Sequence, residues 1–168
     1  MTALVKLRRE HLNDALSATL PRLSAVATAF HDSLVLLTKQ STTACFGFVS
    51  QGELSPPVMA LMDQPAHRQH IDSLMASIFM AIADGRKSPR VYPPPKQGDY
   101  QVLTSQLSKR GWSDADLQLF SNAQELSKTK PEKVCSMVRD WFAAQLEITD
   151  VQSQLRLLAE ALKPLISG

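Results

Sequence analysis

The sequence predicts an all-α fold: a single irregular bundle of about six or seven helices, ending in a long C-terminal amphipathic helix. Three observations carry this. An apolar residue recurs every seventh position from Val134 (Val134, Trp141, Ile148, Leu155, Leu162), and a second apolar series runs three residues on (Met137, Ala144, Val151, Leu158, Leu165). Steps of three and four place both series on one stripe of a helix. Shorter stretches upstream repeat the same spacing, and Pro, Gly and capping residues punctuate them where helices begin and end.

The bounds set by length and composition agree with a bundle. With 168 residues the chain is long enough for one domain with a sizeable core, and 44% hydrophobic against 20% charged residues is a globular balance. We therefore treat residues 1–168 as one helical domain. A net charge of +2 gives no large basic field for nucleic acid or an anionic membrane. Residues 1–20 carry charges throughout and no apolar run, so no signal peptide is expected, and no stretch approaches a membrane span. The two cysteines, Cys45 and Cys135, form no disulfide framework and fit a reducing, cytoplasmic setting, with a single bridge between them left open.

Taken in order, Thr2 to Leu20 reads as an amphipathic helix with Leu4, Val5, Leu12, Ala15 and Leu16 on one face and Lys6, Arg8, Arg9, Glu10 and Asp14 mostly opposite, in solvent. Pro21 can open a second helix, in which Leu23, Val26, Phe30, Leu34 and Leu37 recur at helical spacing. Ser41 to Gly52 is the least helical stretch: Thr42, Thr43, Cys45, Phe46, Phe48 and Val49 favour strand, and Gly47 disfavours helix. A lone strand would lack a mate, so we expect a helix end followed by an irregular, partly buried segment, with Cys45 as an inert buried thiol.

Pro56 and Pro57 break the chain before a short helix, and Pro65 opens a longer one whose face is Ile71, Leu74, Met75, Ile78, Phe79 and Ile82, with Gly85 as its C-terminal cap. Arg86 to Asp99 is a connector between the two halves. Tyr92-Pro93-Pro94-Pro95 within it must be extended, and a semi-rigid strap across the bundle surface is expected. Asp99 then caps a helix over Tyr100 to Arg110 that Gly111 ends. Ser113 caps the next helix, which should end near Ser127, with Asp114 and Asp116 near its positive end and Trp112 able to staple onto Leu117. Pro131 opens the final helix. Thr149 and Asp150 can cap a fresh start, which allows a kink there.

The final stripe is too wide for a two-stranded coiled coil. Its flanks carry Val138, Gln145, Gln152 and Ala159 on one side, where a zipper would place charges. It suits a bundle helix with several neighbours, and it can also serve an oligomer or a partner. The candidate partner-binding residues are Trp141, Ile148, Val151, Leu155, Leu158 and Leu162.

Chemistry-bearing patterns are weak. His67 and His70 lie three apart on a helix, a spacing that can hold a metal, but no second ligand pair accompanies them. We expect them at the surface of a helix start. No glycine-rich phosphate loop, nucleophile elbow or zinc-protease motif is present, and no cofactor is expected. The leading expectation is a non-enzymatic protein–protein interaction module: an adaptor, chaperone-like factor or assembly subunit using a helical groove or the C-terminal seam. The alternative is a small nucleic-acid-associated regulator using Arg8, Arg9, Arg86, Lys87, Arg90, Lys130 and Lys133. The third is a metal-dependent enzyme around His67 and His70.

Overall fold

The computed structural model describes the whole chain, Met1–Gly168, as an all-α helical bundle with no strand. In order the helices are α1 (Thr2–Glu10), α2 (Leu12–Leu16), α3 (Leu20–Gln40), α4 (Thr42–Gln51), α5 (Pro56–Met59), α6 (Pro65–Lys87), α7 (Gln97–Lys109), α8 (Asp114–Phe120), α9 (Ala123–Ser127), α10 (Pro131–Leu146) and α11 (Val151–Ser167), with a 3₁₀ turn at Gly52–Leu54 before α5. The count exceeds the sequence expectation for two reasons. Three expected helices are each broken once, near His11, Asn122 and Thr149, and residues 42–51 add one more.

The long apolar stripe is confirmed as the spine, but it is divided between two helices. Asp150 accepts from the Ser153 backbone N–H at 2.7 Å and starts α11 afresh. Gln154 Nε2 donates to the carbonyls of Gln145 and Leu146, both at 3.1 Å, and so covers the open end of α10. The stripe survives this break in burial: Val134, Met137, Ala144, Ile148, Leu158 and Leu162 are all buried.

Two apolar clusters result. The larger takes Leu23, Val26, Leu34 and Leu37 of α3, Leu74 and Ile78 of α6, Phe142 of α10 and Leu158 and Leu162 of α11. The smaller gathers Leu103 and Leu107 of α7, Trp112, Met137, Ala144, Ile148 and Leu157. Trp141 packs against both.

Residues 42–51 correct the expectation of an irregular segment. They are helical because Ser41 caps the start, accepting from Ala44 N–H at 3.2 Å, and because Ala44, Cys45 and Phe48 all reach the main core. Core burial outweighs the strand preference of Thr and Phe, which amounts to tenths of a kcal/mol per residue in a helix. Cys45 is no free thiol: it forms a disulfide with Cys135 of α10, joining α4 to α10 in the interior.

Gly85 likewise corrects its expected role as a cap. It lies inside α6, which runs on to Lys87. A Cβ there would collide with the Asp14 carbonyl, so the missing side chain is what lets α2 cross α6 closely. In an exposed helix Gly→Ala gains about 1 kcal/mol. Here Gly85→Ala is expected to destabilise by about 1–3 kcal/mol through overpacking, read as a lowered urea midpoint.

The connector behaves as a strap. Residues 89–96 have no regular structure, and Tyr92 Oη donates to the Ala18 carbonyl at 2.5 Å. Asp99 has a larger role than the cap assigned to it. It sits at the third position of α7, accepts from Lys96 N–H at 2.8 Å, and is buried against α11. There Arg156 grips both its oxygens at 2.7 and 2.8 Å and Ser153 Oγ donates at 2.7 Å. The Arg156 bonds hold the Asp99 carboxyl far below the usual carboxylate range against the opposing effect of burial.

Backbone and Lys133 bonds hold Asp116 down to about 2. A carboxyl depressed in the folded state adds stability above its unfolded value, about pH 4, and loses it as pH falls toward the folded one. The urea midpoint should therefore drop on acidification from about pH 4 to 2, and Asp99→Asn should flatten that limb.

Candidate functional site

The surface that most resembles a binding site is a groove between α7, α8 and α10. Its construction begins at the end of α7. Gly111 takes a left-handed φ of 94°, Trp112 N–H bonds the Leu107 carbonyl at 3.1 Å, and Gly111 N–H bonds that of Ser108 at 3.0 Å. This Schellman closure turns Trp112 back onto Leu107. Ser113 and Asp116 then form a reciprocal capping box at 2.9 and 3.2 Å that launches α8. The expected helix over 113–127 ends early at Phe120, because Asn122 caps α9 through the N–H groups of Gln124 and Glu125.

The groove has a volume of about 280 Å³ and is lined chiefly by Tyr100, Leu103, Leu107, Trp112, Leu117, Phe120 and Trp141. Trp112 meets Phe120 edge-on at 5.4 Å, and Phe120 lies 4.8 Å from Trp141. Trp112 Nε1 donates to Asp140 at 3.1 Å. With its amide oxygen turned to the indole, Gln145 accepts from Trp141 Nε1 at 2.6 Å. Both indole N–H groups are thus satisfied within the protein. Tyr100, of the lining, is also 45% exposed. Thr104 and Ser121 are the polar members of the lining; elsewhere on these elements Arg110 pairs with Glu147 at 2.5 Å, and Lys133 with Asp116 at 3.0 Å. Neither α8 nor α9 contributes a buried residue, so this wall is the least anchored part of the bundle.

The residues singled out from sequence fall differently. Of the six seam residues only Trp141 lines the groove. Ile148, Leu158 and Leu162 are buried in the protein's own core, Leu155 is half-buried against it, and Val151 is exposed on α11. The basic set does not form a patch. Arg8 is corrected outright: it is fully buried, with Nη1 2.7 Å from Glu53 Oε1, not on a solvated face. Arg9 is committed to the carbonyls of Ser167 and Gly168 at 2.7 and 3.1 Å. Arg90 lies 3.8 Å from Asp84, and Lys133 pairs with Asp116. Arg86, Lys87 and Lys130 remain, all exposed but in two separate parts of the chain.

His67 is also corrected: it is buried, not superficial, and burial followed by the charge of His70 lowers its pKa. His70 Nδ1 faces the Ala66 carbonyl at 2.9 Å. No group of three His, Cys, Asp or Glu side chains converges as a metal site.

Tyr100 and Phe120 were missed as site residues. The signal was present in part: the chain has two tryptophans and two tyrosines, and both tryptophans and one tyrosine line this groove. No family model, curated protein or solved structure matches the chain.

Proposed function

We propose that the protein is a non-enzymatic interaction module, an adaptor, chaperone-like factor or assembly subunit, that receives an apolar segment of a partner protein in the α7–α8–α10 groove. The observation that carries this is the concentration of Trp112, Trp141, Phe120 and Tyr100 in one groove that also holds the hydroxyls of Thr104 and Ser121. Aromatic anchors in a pocket with a polar rim are the anatomy of an interaction hot spot. Of the two binding elements expected from the sequence, the groove is preferred, because the C-terminal seam is spent on internal packing. No helix is long and apolar enough to cross a membrane. The buried cystine fits an oxidising compartment better than the cytoplasmic one first expected.

The test is paired copurification from the native host with wild-type protein, Tyr100→Asp and Phe120→Ala. Tyr100 is 45% exposed, so Tyr100→Asp should leave the melting temperature unchanged. A specific partner should be retained by wild type and lost, by tenfold or more, from both variants. Identical retention by all three proteins would remove the groove from consideration. A partner that proves to be a second copy of this chain would show as a concentration-dependent mass.

A further inference from the structure

A second pocket, partly open to solvent, lies between α3, α4, the 3₁₀ turn, α6, α10 and α11, with a volume of about 270 Å³. We propose that it binds a small, uncharged aromatic molecule carrying one hydrogen-bond donor. Three phenylalanines furnish its walls: Phe30 stacks on Phe48 at 5.1 Å and meets Phe142 edge-on at 4.9 Å. Val138 and Ala161 are among the further apolar residues of its lining. The one ionised side chain there is Glu53, 4% exposed.

Glu53 selects the ligand. A carboxylate has about four acceptor positions. Arg8 Nη1 faces Oε1 as an ion pair at 2.7 Å, whereas no donor of the protein meets Oε2, which is left for a ligand. The Arg8–Glu53 pair is neutral as a whole, so a ligand cation would enter an apolar space uncompensated. An anion would meet the Glu53 carboxylate with the Arg8 charge already engaged. A neutral O–H or N–H satisfies the carboxylate without either cost.

Size and rigidity fit the same class. A dry apolar cavity of roughly 150 Å³ holds one benzene, so this one has room for about two fused rings. The Cys45–Cys135 disulfide lies one helical turn from Phe48 on α4 and from Val138 on α10, and it fixes those two walls against each other. The pocket is pre-formed, as most small-molecule sites are.

Calorimetric titration of the oxidised full-length protein with 1-naphthol, 1-naphthylamine, naphthalene and 1-naphthoate tests this. The naphthol and naphthylamine should bind saturably at one site, naphthalene at least fivefold more weakly, and naphthoate not at all. Ala161→Phe and Val138→Phe, which fill the space, should each weaken naphthol binding at least tenfold while near-ultraviolet circular dichroism and the melting temperature report a folded protein. If one filled variant does not fold, the other carries the comparison. Absence of saturable naphthol binding to the wild type, equal affinity for naphthalene, tighter binding of naphthoate, or undiminished binding by a folded filled variant would overturn the proposal. The groove variants Tyr100→Asp and Phe120→Ala should bind naphthol as wild type does, which separates this site from the partner surface.

Discussion

Replacing both Cys45 and Cys135 by alanine, or reducing the native protein, is expected to lower the free energy of unfolding by about 4–5 kcal/mol. The bond closes a loop of 90 residues and ties α4 to α10 at full burial. Loop-closure entropy lost from the unfolded chain grows with loop length and reaches that size for a loop this long. Against a total stability of about 5–15 kcal/mol, the loss would be a large share of the whole. Urea unfolding of oxidised protein, reduced protein and the double variant measures it. Midpoints equal within error, with mass spectrometry confirming the bond in the oxidised sample, would deny the cross-link any stabilising part.

The Arg8–Glu53 pair should give the next largest effect, and its sign depends on how it is broken. Both side chains are buried, at 1% and 4% exposure, and lie 2.7 Å apart. Glu53→Leu or Arg8→Met alone leaves an unpaired charge in the interior and should destabilise by about 3–5 kcal/mol. Arg8→Met combined with Glu53→Leu removes both charges and fills similar volume, and it should recover most of that loss or exceed wild type. A double-mutant cycle in urea reads the coupling. Additive single effects would mean that the two residues do not act as a pair.

These two features were also the least legible in the sequence. Arg8 sits in a run of charges with Lys6, Arg9 and Glu10, and such a run ordinarily faces water. Only the return of the 3₁₀ turn at Gly52–Leu54 brings Glu53 to it. Cys45 and Cys135 gave no local cue, because a pairing across 90 residues exists only once α3, α4 and α10 have packed. What could be read was whatever repeats along one helix: the stripe from Val134 to Leu165, the faces of α3 and α6, and the caps at Ser113 and Asp150. The groove lay between these cases. Trp112, Leu117 and Phe120 share one stretch of chain, but Tyr100 and Trp141 come from two others and meet them only in three dimensions.

The strap has a consequence for how the molecule can be cut. Arg90-Val91 lies within the span enclosed by the cystine, and Val91 is 95% exposed, so trypsin should find a scissile bond there. Cleavage would make two peptides that remain one covalent particle, migrating apart on a denaturing gel only after thiol is added.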